Sequence, residues 1–125
     1  MKLLLTLFII LFASSCTLQD EANWFRKNDT NTSYKGIIVR KYLDPDLKVQ
    51  PVFVLSDSEK YQFYNIFVYD IAQAGDSITK RAGTLKRTLK RNNKIIVFYP
   101  VCCDGMVIKD STVKEDTTIF RPRFQ

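Results

Sequence analysis

The sequence predicts a small all-β domain, an antiparallel barrel or sandwich carried behind an export leader and a polar linking segment. Three observations point there. Short runs rich in β-branched and aromatic residues recur between Tyr34 and Tyr99. Clusters of Asn, Asp, Ser, Gly and Pro separate those runs at close spacing, as turns do between short strands. The composition is 46% hydrophobic and 13% aromatic with four glycines and four prolines in 125 residues, which suits a packed core rather than a disordered chain. A chain of this length fits one domain and buries roughly two-thirds of its unfolded surface, so it needs no metal or disulfide framework to fold.

The leader comes first. Lys2 precedes an apolar run from Leu3 to Ala13, then small Ser14 and Ser15, then Cys16. A charged, an apolar and a small-residue region in that order make an export signal. The run is too short to span a bilayer, which takes about 20 apolar residues. Small residues directly before a cysteine resemble the lipobox of bacterial lipoproteins, with Ala13 standing where that family usually has Leu. The resemblance implies cleavage after residue 15, diacylglyceryl transfer to the Cys16 thiol, and a membrane contact made through that lipid. It also implies outer-membrane delivery, facing the periplasm or the cell surface, since Thr17 rather than Asp follows the cysteine, and Asp20 and Glu21 resemble acidic surface-export signals. Ala13 and Ser15 equally satisfy the ordinary small-x-small cleavage pattern, which leaves a soluble secreted protein as the alternative.

Residues 16–33 are polar and without hydrophobic periodicity, so they are expected to form a lipidated tether. Trp24 and Phe25 interrupt it and are expected to dock on the domain or at the membrane interface. The β domain is placed at 34–109. Its first strand runs Gly36 to Tyr42 and stops at Asp44-Pro45-Asp46, and a second runs Pro51 to Leu55 and is closed by Ser56-Asp57-Ser58. Tyr61 to Ile71 is expected as a third strand, its β-branched and aromatic content outweighing a competing helical reading. Gly75-Asp76 marks a turn into a strand from Ser77 to Arg81. Residues 84–91 pair through an Asn92-Asn93 turn with Ile95 to Tyr99, although Leu85 and Leu89 are also compatible with a short helix. Strands of this number and spacing suggest an OB-like or SH3-like barrel. The tail, 110–125, holds Thr117 to Phe120 as a further edge strand ended by Pro122.

Gly36 to Tyr42 and Gly75 to Lys80 together resemble small Gram-negative envelope lipoproteins, in which a Gly-x-Val/Ile-x-Lys-Tyr strand opens the domain and a Gly-Asp-Ser-Ile-x-Lys turn and strand follows. The resemblance spans Tyr34 to Tyr99. It implies a fold and a location and supplies no catalytic residue and no cofactor.

The residue inventory narrows the function. The chain has no histidine, which removes Ser-His, Cys-His and His-zinc chemistry. Gly75-Asp76-Ser77-Ile78 resembles the nucleophile motif of GDS-type esterases, but those enzymes take the serine proton with a histidine, so Ser77 is read as a turn residue. Cys102-Cys103 lacks Cys-x-x-Cys spacing, and one of the pair is expected to be a small buried apolar residue. The formal charge is +6, and loss of Lys2 with the leader lowers it by one. Lys86, Arg87, Lys90 and Arg91 lie in its densest cluster and are the candidate anion-binding residues. Nucleic acid is not expected as a partner, because aromatics are not interleaved with this stretch and the envelope offers little of it. The reading is a non-enzymatic envelope lipoprotein that makes structural or protein contacts, with an anionic glycan or lipid headgroup as the alternative ligand.

Overall fold

The computed structural model describes residues 18–47, 50–102, 105–110 and 122–124. The leader, Cys16, Cys103 and the expected strand at Thr117 to Phe120 lie outside the described residues. Helix α1, Leu18–Asn28, opens the described chain, and a 3₁₀ turn, Asp29–Asn31, follows it. Among the described residues eight strands come after: β1 (Tyr34–Asp44), β2 (Gln50–Leu55), β3 (Lys60–Gln62), β4 (Ser77–Lys80), β5 (Arg87–Arg91), β6 (Lys94–Phe98), β7 (Val101–Cys102) and β8 (Met106–Val107). Helix α2, Ile66–Ile71, sits between β3 and β4.

The first six strands form one antiparallel sheet in the order β3-β2-β1-β4-β5-β6, and β7 and β8 form a separate hairpin. The all-β expectation therefore holds, without closure into a barrel: β3 and β6 are opposite edges of the sheet. β1 explains the shape. Its first half, Tyr34 to Ile37, pairs with β4, while Ile38 and Arg40 to Asp44 pair with β2, and the register slips at Val39. A bulge there bends and twists the strand, so the two halves of the sheet turn over one core. Ile38, Phe53, Leu55 and Phe63 meet Ile78, Leu89, Ile96 and Phe98 in that core. Gly36 lies where the halves approach closely, and a Cβ there would stand 3.2 Å from Leu55 Cδ1.

Two expectations need correction. Tyr61 to Ile71 is not one strand. Tyr64 has φ 52°, outside strand geometry, and Asn65 then caps α2 by accepting a hydrogen bond from Val68 N at 3.1 Å. The Asn65 amide also donates to Tyr99 O at 3.0 Å, which anchors the cap to the body and lets Val68 and Ala72 enter the core. The alternation across Tyr61 to Ile71 was too weak to resist that cap.

The second correction concerns the tether. Residues 18–31 form α1 and its 3₁₀ turn, with Ala22 and Phe25 buried against Leu85 and Ile108 in a second, smaller core. Phe25 docks as expected, while Trp24 stays 47% exposed. Asp20 and Glu21 in the first turn and Arg26 and Lys27 in the last suit the helix dipole. The inward stripe ends in charge: Asp29, 6% exposed, pairs through Oδ2 with Nη2 of the fully buried Arg87. Lys80, also buried, donates from Nζ to Thr32 O at 2.6 Å. Burial raises the Tyr34 phenol to about 12, against the opposing pull of Arg87, so it stays protonated.

The Asn92-Asn93 hairpin is as expected, with Asn92 at φ 53° and Arg91 opposite Lys94. Residues 87–91 are strand, not helix. Gly75 has φ 97°, and Asp76 accepts from Gln73 N at 2.9 Å, which closes the turn into β4.

Candidate functional site

The four basic residues singled out in the sequence do not share a face. Arg87 and Arg91 point toward the inside of the sheet together with Leu89, because alternate side chains of β5 face opposite ways. Arg87 is spent on Asp29. Arg91 donates from Nε to Asp76 Oδ1 and from Nη2 to Asp76 Oδ2, both at 2.8 Å, and from Nη2 to Ile71 O at 2.8 Å. Lys86 and Lys90 are exposed. A single anion cannot engage all four, since two of the cations already hold protein carboxylates.

The Asp76–Arg91 fork gives the Gly-Asp-Ser-Ile motif a structural role. Burial alone pushes the Asp76 carboxyl upward, and the Arg91 guanidinium and the Gln73 N–H outweigh it, holding it below the usual carboxylate range. Its contribution to stability is thus present in full above the unfolded value of 3.8 and is lost as pH falls through the lower folded one. Asp76→Asn is expected to lower the unfolding free energy by about 1–3 kcal/mol at neutral pH. In urea titrations of both chains the gap should narrow below pH 4; a gap independent of pH would contradict the assignment. Ser77, next to this fork, starts β4 opposite Lys90, whose side chain is exposed to water rather than enclosed as a lysine base must be.

A different place on the surface has the shape of a site. A groove of about 700 Å³ opens between α1 and the ends of β2, β3 and β7. Asp20, Glu21, Trp24 and Phe25 line it from α1; Gln50, Pro51 and Gln62 from the sheet; and Tyr64, Asn65, Ile66, Val101 and Cys102 complete it. Its aromatic wall is built edge to face, with Phe25 and Tyr64 centroids 4.9 Å apart, Trp24 and Phe25 5.0 Å apart, and Trp24 and Tyr64 6.0 Å apart. That packing fixes the ring of Trp24 while leaving about half of it open to a ligand. Burial raises the Tyr64 phenol, as does the charge of Asp29, so it remains a donor.

The described lining holds two carboxylates, two glutamine amides and an aromatic wall. Asp20 and Glu21 are already engaged within the protein, so the open feature of the groove is the half-exposed Trp24. The groove is hidden in the sequence because Asp20 to Phe25 reads as tether and Tyr64 to Ile66 as strand. The one signal for the helix is charge at the two ends of 18–28, acids first and bases last. Cys102 is partly buried at the groove wall and Cys103 lies outside the described residues. Among the described residues no group of His, Cys, Asp and Glu is arranged to hold a metal ion, and no helix is long and apolar enough to cross a membrane. Comparison with known proteins gives no matching family, no matching curated protein and no matching solved structure.

Proposed function

We propose that this chain is a lipid-anchored protein of the bacterial envelope whose folded domain is a non-enzymatic interaction module, and that the groove beside α1 receives a segment of a partner protein. The membrane part of the reading is supported by the leader and by the small residues before Cys16. Two or more acyl chains there make release from the bilayer very slow, at about 0.8 kcal/mol for each buried methylene. The chain's lack of histidine and the engagement of Asp76 by Arg91 support a module without hydrolytic chemistry.

The observation that carries the partner reading is the half-exposed Trp24, held edge to face against Phe25 and Tyr64 at the groove. Rigid aromatic rings contribute heavily to protein contacts. Crosslinking in intact envelopes, with recovery of the full chain, tests it. Trp24→Ala should reduce the recovered partner at least tenfold while costing the fold about 1–2 kcal/mol, because about half of the side chain already lies in water. Unchanged recovery without Trp24 would remove the groove from consideration. The anchor is tested separately by mass spectrometry of the mature amino terminus, where a diacylglyceryl-modified Cys16 is expected. An unmodified thiol on chain found in the culture fluid would instead support the secreted alternative.

A further inference from the structure

The outward face of strands β1, β4, β5 and β6 has a composition that the core does not explain. Alternation puts Tyr34, Lys80, Arg87 and Phe98 in one inward row, and Ile78, Leu89 and Ile96 in the next beside Gly36. The residues between them face out in two matching rows. One runs Lys35, Thr79, Thr88, Val97 across the four strands, and the other runs Ile37, Ser77, Lys90, Ile95. Lys35 and Lys90 are exposed, and Ile37, Ile95 and Val97 are 43%, 43% and 47% exposed. None of the eight is acidic and none is aromatic.

We infer that this face lies against a bilayer surface rich in anionic phospholipid. That the bilayer is the bacterial envelope's rests on the lipid anchor proposed above; the composition of the face does not. Strands about 4.8 Å apart and rows about 7 Å apart present lysines and hydroxyls as closely spaced donors on one face. Phosphates of neighbouring headgroups meet such a face in several places at once, and the lysines are drawn to the bilayer by its negative surface potential. The three aliphatic side chains reach between headgroups, where burial of apolar surface is favourable. A polysaccharide is the poorer match, since none of these eight positions carries a ring on which a sugar could stack.

Lysine acylation rates, read by mass spectrometry on the full lipidated chain, test the inference. The chain is reconstituted in zwitterionic vesicles and in vesicles containing one-third anionic phospholipid. Lys35 and Lys90 are expected to react at least threefold more slowly in the anionic vesicles, with the difference lost at 0.5 M salt, while Lys60 on edge strand β3 is unchanged. Lys90→Glu, an exposed substitution that the fold tolerates, should remove the protection of Lys35. Equal slowing of all three lysines, or none, would overturn the inference. Protection in zwitterionic vesicles by a soluble anionic polysaccharide, without protection by anionic lipid, would assign the face to a glycan and overturn it too. If the isolated chain carries no lipid on Cys16, the anchor reading fails by itself, and the same footprint on chain added to preformed vesicles still decides the face.

Discussion

Replacing Asp29 with alanine is expected to remove about 3–5 kcal/mol of unfolding free energy, the range for breaking a buried ion pair by deleting one partner. Arg87 is fully buried, and its guanidinium holds Asp29 through Nη2 and Leu85 O through Nη1 at 2.5 Å. Among the described residues its Nε has no hydrogen-bond partner, so the group begins with one buried donor unsatisfied. Lys80 stands in the same interior, where burial lowers its pKa and the charge of Asp29 works the other way. Without Asp29, lysine can shed its proton and arginine cannot, so the uncompensated charge stays on Arg87. The double replacement Asp29→Leu with Arg87→Met should recover most of the loss, because an apolar pair of similar volume needs no counter-charge. Urea unfolding of the three chains measures both effects. A single substitution costing less than 1 kcal/mol would show that Arg87 reaches water in the folded protein.

The same pair shows why part of the architecture was readable in the sequence and part was not. β1, β2, β4 and the β5–β6 hairpin were legible because their side chains alternate and their ends carry Asp44-Pro45, Ser56-Asp57, Gly75-Asp76 and Asn92-Asn93. Helix α1 was not, because the stripe that fastens it is Ala22, Phe25 and Asp29: a small residue, a ring and a carboxylate. A charge at an inward position is invisible to hydrophobic periodicity, and its partner Arg87 lies 58 residues away on a strand that reads as a basic surface. The basic stretch misled for the same reason. Lysine and arginine count alike in composition, yet Arg87 and Arg91 occupy inward positions with carboxylates while Lys86 and Lys90 stay in water. α2 was lost to a local contest, in which the Asn65 cap and the turn at Tyr64 outweighed the strand preference of Phe67, Val68 and Tyr69. The groove depends on both misread elements, so it emerged only with the three-dimensional arrangement.

Phe25→Ala is expected to cost about 3–5 kcal/mol, the range for deleting a buried phenylalanine, and to spend that loss on one part of the molecule. Phe25 fills the smaller core, against Ala22, Leu85 and Ile108, and meets Tyr64 edge-on, whereas the main core under the sheet is built from other residues. An 11-residue helix is too short to persist in water without packing, so α1 depends on this contact and on the Asp29 pair just beyond it. Amide exchange resolved by residue separates the two levels. Amides of α1 should open at least a hundredfold more readily in Phe25→Ala, while those of β1, β4 and β5 change far less. Equal acceleration in the sheet would instead make the helix and the sheet one cooperative unit. Because α1 supplies Trp24 to the groove, the substitution should also abolish capture of the partner although Phe25 itself is buried. Loss of capture together with a protected sheet ties recognition to the docked helix, and retained capture with α1 open would separate them.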